Sequence, residues 1–345
     1  MKRGLFNFFD ATPSDESLSI TDEVLQLLSQ TKNILTSDES KILSQDAVQK
    51  AYAHTKENYE KGQYDSTDIS LLINRALKRK KLSIKLSHIV VDEAQDFSLL
   101  ELKCLLGFVK KDSEVTMVGD TAQEIHQSGF AGWEKLQKLL PEGSSHFIPL
   151  NVSHRSTLPI MRVADYVQQR DTVKEGREGR VPIWFHSKDP ELTLDSLITW
   201  LKKACDLYPH EVTAVLCKDQ KEAKEITSLL SPTFNYMVRR GDINDISFEA
   251  GILVTSIEIV KGLEFNSVVL FNPSKKSYPS TGEFGDINRN LLYVGITRAE
   301  ENLCIVTHEK PTDILPQHNS KLVRGIVVEP EPVEVEEKRH PLELE

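Results

Sequence analysis

Polar and apolar positions along the chain fall into two textures that meet near Lys85. Upstream, TDEVLQLLSQTKNIL, SQDAVQKAYAHTKENYEKG and STDISLLINRALKRKK set apolar residues at helical spacing behind Ser, Thr or Asp caps. In the third, Ile69, Leu72, Ile73, Ala76 and Leu77 share one face. Downstream, the short apolar runs HIVV, EVTMV and HFIPL alternate with helical patterns such as Leu99–Val109. The runs VPIWFH, EVTAVLC, GILVTS, SVVLFN and NLCIVT follow, separated by amphipathic stretches at Ser156–Gln169, Leu192–Leu207, Lys218–Leu230 and Asn288–Glu300. Apolar strands alternating with helices predict an α/β fold with parallel, helix-covered sheets. PEGSSH, Pro141–His146, reads as the boundary between two such units.

Composition narrows the class. The 345 residues are 39% hydrophobic and 27% charged, as in a soluble globular protein with room for two cores. No apolar run is long enough to span a membrane, and the N-terminus lacks the apolar stretch of a signal peptide, so the chain reads as cytoplasmic with no membrane partner. Cys104, Cys205, Cys217 and Cys304 are far apart with no CxxC pair, which predicts reduced thiols rather than a zinc site. A net charge of −10 argues against holding nucleic acid by a global positive field. Charge is uneven, however. From Glu329 the chain carries seven Glu against one Lys and one Arg and reads as a disordered tail, whereas Arg75–Lys85 holds six basic residues. That basic run is either a solvated helix end or a phosphate-backbone contact.

The stretch HIVVDEAQDFS, His88–Ser98, carries the chemistry. A strand ending in Asp92-Glu93 puts two carboxylates at the carboxyl edge of a parallel sheet, where ligands bind in such folds. The first can reach Mg²⁺ and the second can orient or deprotonate a water. The pair alone is weak evidence, because acidic residues also cap helices. Its companions strengthen it: VGDTAQEIH (Val118–His126), LNVSHRS (Leu150–Ser156), VKGLEFNSVVL (Val260–Leu270) and LLYVGITRAEENLCIV (Leu291–Val306).

In this order, DEAQD, GDxxQ, the Arg-Ser pair, KGLEF and YVxxTRA resemble motifs II to VI of superfamily 1 helicases of the UvrD/Rep type, over roughly Tyr64–Thr307. Within that family the flavour is closest to the HelD-like branch, which is tied to bacterial RNA polymerase. The resemblance implies two RecA-like, P-loop NTPase-type domains with ATP clamped between them. Residues 1–85 would form a helical segment belonging to or covering the first domain, and 86–145 the rest of that domain. Residues 146–325 would form the second domain and 326–345 the acidic tail.

The resemblance also implies roles. Asp92 would hold Mg²⁺ and Glu93 would serve as base. Gln95 and Asp96 would couple the site to neighbouring motifs, and Gln123 would sense the γ-phosphate. Arg155 and Arg298 would neutralise charge on the transferred phosphoryl group. Gly262 would let the backbone pass close to the nucleotide, Glu264 would contact the ribose, and His154 would stack on the base. Lys261 and His126 would touch nucleic acid. Three positions depart from the family pattern: His154 replaces a Tyr, His126 an aromatic residue and Glu258 a His. An acidic Glu258 facing a phosphate backbone would repel it.

No GxxxxGK[ST] or GxGKT occurs in the chain, and KGQYDST, EGREGR and RRGDIND do not supply one. The chain is therefore expected to begin after the phosphate loop, leaving the first RecA-like domain incomplete and the second complete. The implied cofactors are ATP and Mg²⁺, provided the phosphate-loop part is supplied. The implied partners are single-stranded or partly duplex DNA, RNA polymerase, or a separate polypeptide carrying the missing half. Two readings follow. One is a helicase or translocase portion that is not autonomously active. The other is a non-catalytic helicase-like binding or regulatory module.

Overall fold

In the computed structural model, residues 45–78, 85–125, 132–137, 140, 144–150, 154–171, 174–243, 245–282 and 284–330 are described. They divide between two compact units, Met1–Phe147 and Ile148–Glu345. The helical pattern TDEVLQLLSQTKNIL, His126 and the tail from Glu331 lie outside the described residues.

In the first unit, helices α1 (Gln45–Glu60) and α2 (Ser66–Lys78) precede strand β1 (Leu86–Val91). Helix α3 (Leu99–Gly107) then crosses over to β2 (Val109–Met117), which pairs parallel with β1. Ser98 starts α3 with a reciprocal cap: its hydroxyl accepts from the Glu101 amide while its own amide donates to the Glu101 carboxylate. The core is Val91, Ala94, Leu99, Leu102 and Leu136, with Ile89 and Met117 packed against it from one sheet face. The other face presents Leu86, His88 and Val90 beside Glu114 and Thr116, all exposed, with Val90 67% accessible. Parallel sheets normally have both faces covered, so this is an unusual surface.

HFIPL does not form the strand that its apolar run predicts. Residues 144–150 pair with no described strand, and Ile148 and Leu150 are 76% and 83% exposed. Strand propensity alone does not order such a run, because its backbone groups need a neighbouring strand. Helix α4 (Trp133–Gln137) follows β2, and its Trp133 ring lies 6.0 Å from that of Phe147.

The second unit is a seven-stranded, wholly parallel sheet in the order β5-β6-β4-β7-β8-β3-β9. Its elements run α5 (Leu158–Val167), β3 (Ile183–His186), α6 (Pro190–Leu207), β4 (Val212–Cys217), α7 (Gln220–Phe234), β5 (Val238–Arg240), β6 (Gly251–Ser256), β7 (Phe265–Phe271), α8 (Gly285–Thr297), β8 (Ala299–Thr307) and β9 (Arg324–Val327). Asp189 and Asp219 cap α6 and α7 by accepting the Glu191 and Glu222 amides.

Both sheet faces are covered. Helices α6 and α7 bury Leu197, Leu201, Ile226 and Leu230 against Val215, Val254, Val269 and Val306. On the opposite face α8 packs so closely that a Cβ on Gly295 would lie 2.9 Å from Leu270. Strands β5 and β9 were not expected from the sequence. Each is only three or four residues long and partly polar, too short to show a period.

Candidate nucleotide site

Strand β1 delivers Asp92 to the carboxyl edge of the first sheet, where the chain reverses at once. Glu93 adopts a left-handed backbone (φ 49°, ψ 41°) before a 3₁₀ turn over Ala94–Asp96. That conformation costs a non-glycine residue about 1 kcal/mol and persists only where surroundings enforce it. Here they do. Asp92 Oδ1 accepts the Glu93 amide at 2.8 Å, and the buried Gln95 donates from Nε2 to Glu93 Oε2 at 2.5 Å.

Gln95 also accepts the Asp120 amide on Oε1 at 3.0 Å. Asp120 in turn takes the Ala122 amide on one oxygen and the Gln123 side-chain amide on the other, at 3.0 and 3.3 Å. Glu93, Gln95, Asp120 and Gln123 thus form one hydrogen-bonded line along the strand ends. Gly119 makes room for it, since a Cβ there would sit 2.3 Å from Gln95 Oε1 and 3.0 Å from the Ala94 amide nitrogen. Asp96, expected beside this coupling, is half-buried in the same turn.

Asp92 remains exposed with Oδ2 outside this bonding. One carboxylate oxygen suits Mg²⁺, which keeps its waters and arrives with phosphates, rather than a metal held by protein alone. No cluster of three potential metal ligands exists among the described residues.

The second unit gathers the other predicted residues at the amino ends of β7, β8 and α5. Arg155 is exposed and its Nε is paired with the Glu264 carboxylate. Its neighbour His154 is exposed, Lys261 is half-buried and Glu258 is exposed. Gly262 has φ 82°, a left-handed conformation that suits glycine in the loop between β6 and β7.

Arg298 is placed differently from its expected reach toward a phosphate. Only 1% of it is accessible, and its donors are used internally: Nε to the Val294 carbonyl at 3.2 Å, Nη1 to the Leu263 carbonyl at 2.9 Å and Nη2 to Thr297 Oγ1 at 3.4 Å. In this conformation it holds the 260–264 loop to the end of α8.

Sequence reading passed over Arg177. Its Nη2 donates to the Arg155 carbonyl at 2.5 Å and to the Glu300 carbonyl at 3.1 Å, while Nη1 pairs with Glu301. It therefore ties the segment carrying Arg155 to the start of β8, helped by the Thr157 amide on the Glu300 carbonyl at 3.1 Å. Arg177 belongs to EGREGR, which was weighed only as a phosphate loop, and nothing local marks a long-range clamp. Burial, and after it the Glu264 carboxylate, holds Glu300 above the ordinary carboxylate range.

The two folds and these strand-edge carboxylates and arginines define an α/β protein with RecA-like units. Residues 9–139 match the UvrD/REP helicase N-terminal domain, and residues 251–306 match the UvrD-like helicase C-terminal domain. The chain belongs to the UvrD-like helicases of superfamily 1.

Three relatives illustrate the range. YjcD of Bacillus subtilis, named as a candidate ATP-dependent DNA helicase, is 26% identical over 55% of this chain and 27% of its own length. TPR and ankyrin repeat-containing protein 1 of Homo sapiens is 25% identical over 62% of this chain and 8% of its own. DNA helicase II of Haemophilus influenzae is 26% identical over 34% of this chain and 17% of its own. The matched regions therefore span at most 27% of these curated relatives.

Proposed function

We propose that this chain is part of a UvrD/Rep-like ATP-dependent DNA helicase or translocase, coupling ATP hydrolysis to movement on nucleic acid in the complete enzyme. The hydrogen-bonded line from Glu93 through Gln95 and Asp120 to Gln123 carries this reading. It joins the residue expected to activate water to the one expected to sense a phosphate, next to an exposed Asp92. Mg²⁺ on Asp92 would neutralise phosphate charge, Glu93 would take the proton of the attacking water, and Arg155 would leave Glu264 to meet the transferred phosphoryl group.

The chain is not autonomous in this reading. The 345 residues hold no phosphate loop, so the β- and γ-phosphates lack their main anchor until a segment or polypeptide that carries one completes the site. Single-stranded or partly duplex DNA is the substrate. The test is ATP hydrolysis by the purified chain with and without DNA. Turnover at background is expected; robust turnover abolished by Glu93→Gln would refute the lack of autonomy while upholding Glu93 as base.

The self-contained arrangement in the second unit favours a second reading. With Arg298 buried and Arg155 paired to Glu264, the chain would be a non-catalytic, helicase-like binding or regulatory module, with RNA polymerase as partner. Adding a phosphate-loop polypeptide separates the two: restored hydrolysis supports the first, and none supports the second.

A further inference from the structure

At the sheet edge opposite the candidate nucleotide residues of the second unit, Asn272 and His308 each follow directly on the end of a strand, β7 and β8 respectively. Asn272 is buried and holds a left-handed backbone (φ 44°), which asparagine tolerates better than most residues. Its backbone amide donates to the Val306 carbonyl at 2.7 Å. Its side chain meets the neighbouring strand end, where Oδ1 accepts the backbone amides of His308 and Glu309, both at 3.3 Å. That leaves the Nδ2 hydrogens to point at His308 Nε2, 3.3 Å away.

These partners fix the proton of the imidazole. Nε2 receives a hydrogen bond and carries no hydrogen, so the neutral ring holds its proton on Nδ1. Nδ1 is buried and has no hydrogen-bond partner among the described residues. A second proton, on Nε2, would face the NH₂ donors of Asn272. Turning the Asn272 amide over only moves the conflict, because its NH₂ would then face two backbone amides. The closed arrangement therefore fits neutral His308 alone.

The surroundings oppose the charge as well. Burial pushes the His308 pKa below its usual value, while Glu309 pulls it up and His186 pushes it down. The other titratable groups around this cluster are His318 and Lys188 beside His186, and Lys276 and Glu222 beside Glu309.

The contact heads a longer seam, in which residues 272–278 and 308–313 run side by side. The Lys275 amide donates to the Lys310 carbonyl at 2.8 Å and the Thr312 amide to the Pro273 carbonyl at 3.0 Å. Thr312 Oγ1 donates to the Tyr278 carbonyl at 2.6 Å. The first arm of the seam leads into α8, whose end carries Arg298.

We propose that His308 is a proton-operated latch: neutral, it takes the Asn272 amide and holds residues 272–278 against 308–313, and protonated, it lets that seam open. The latch does not depend on the helicase reading. Because the folded pKa lies below the ordinary 6.5, the latch is fully closed above pH 6.5 and is lost as pH falls through the folded value.

The test is hydrogen-exchange mass spectrometry of the full chain, read as protection factors at about pH 7.5 and about pH 5.5. In the parent, protection of residues 272–280 and 307–313 should fall about three- to tenfold, while that of α6 holds. Glu222 acts with the opposite sign over this range, and the Glu309 and Asp313 carboxyls titrate below 4.5 and 3.8. His308→Gln, whose amide oxygen accepts from Asn272 at either pH, should keep the protection at both. Asn272→Asp sets a carboxylate against Nε2 and should reverse the sign, with protection higher at the lower pH. No fall in the parent overturns the proposal. A fall that persists in His308→Gln assigns it to His186 and overturns the proposal too, as does a folded Asn272→Asp that shows no reversal.

Discussion

Arg155 and Arg298 begin with equal claims on a phosphate and end in opposite surroundings. Arg298 is enclosed, and three internal acceptors absorb its charge and donors. Arg298→Ala would take the side-chain donor from the Leu263 carbonyl and leave a void, so it should destabilise the second unit by about 3 kcal/mol in urea unfolding. Arg155→Ala removes a half-exposed ion pair and should cost under about 1 kcal/mol. Equal losses would mean that Arg298 is not the strut described. Glu222 is a second residue whose environment decides its chemistry. Burial raises its pKa to about 7, against the lowering effect of the Lys218 amide that donates to it at 2.7 Å. Because the folded pKa lies above the unfolded one, the stabilising effect of its proton is complete below about pH 4.5 and is lost as pH rises through 7. Glu222→Gln should therefore match the parent near pH 4 and exceed it by about 3 kcal/mol at pH 8. Melting curves across that range check this, and a pH-independent gap would contradict it.

Among the elements, the first sheet is the exposed one. Strand β1 is largely apolar whereas β2 carries four charged residues, and Leu86, Val90 and Val118 face solvent. Exposed apolar strand surface invites association. Val90→Lys combined with Val118→Lys is expected to lower self-association in light scattering, at little cost in stability, since neither side chain is buried. An unchanged oligomeric state with lost stability would show that this face is covered in solution. Most elements were legible from the sequence to within a few residues. The α3 expectation, Leu99–Val109, gave way at Gly107 because Val109 opens β2. HFIPL was misread because apolar character marks strand capacity while pairing depends on a neighbour that sequence distance does not reveal, and β5 and β9 were missed because they are short and partly polar.

For the molecule as a whole, the contrast between the units predicts unequal independence. Residues 148–330 contain a seven-stranded sheet with helices on both faces and should melt cooperatively when expressed alone. Residues 45–147, whose described residues hold two strands and an exposed sheet face, should not. Circular dichroism melts of the two fragments test this, and a cooperative first fragment would refute it.

The sequence by itself determined the α/β rhythm, the order of the motifs and the family, because strand and helix periods and short motifs are local. It also located Asp92 and Glu93, since a carboxylate pair that closes a strand is visible in one dimension. The tertiary structure alone decided that Gln95 links Glu93 to Asp120, that Arg177 clamps Arg155 and that Arg298 is spent inside the fold. Each of the last two joins residues at least 22 positions apart, and Gln95 reaches Asp120 across 25. Which donor meets which acceptor over such separations is set by how strands and helices pack, not by any pattern along the chain.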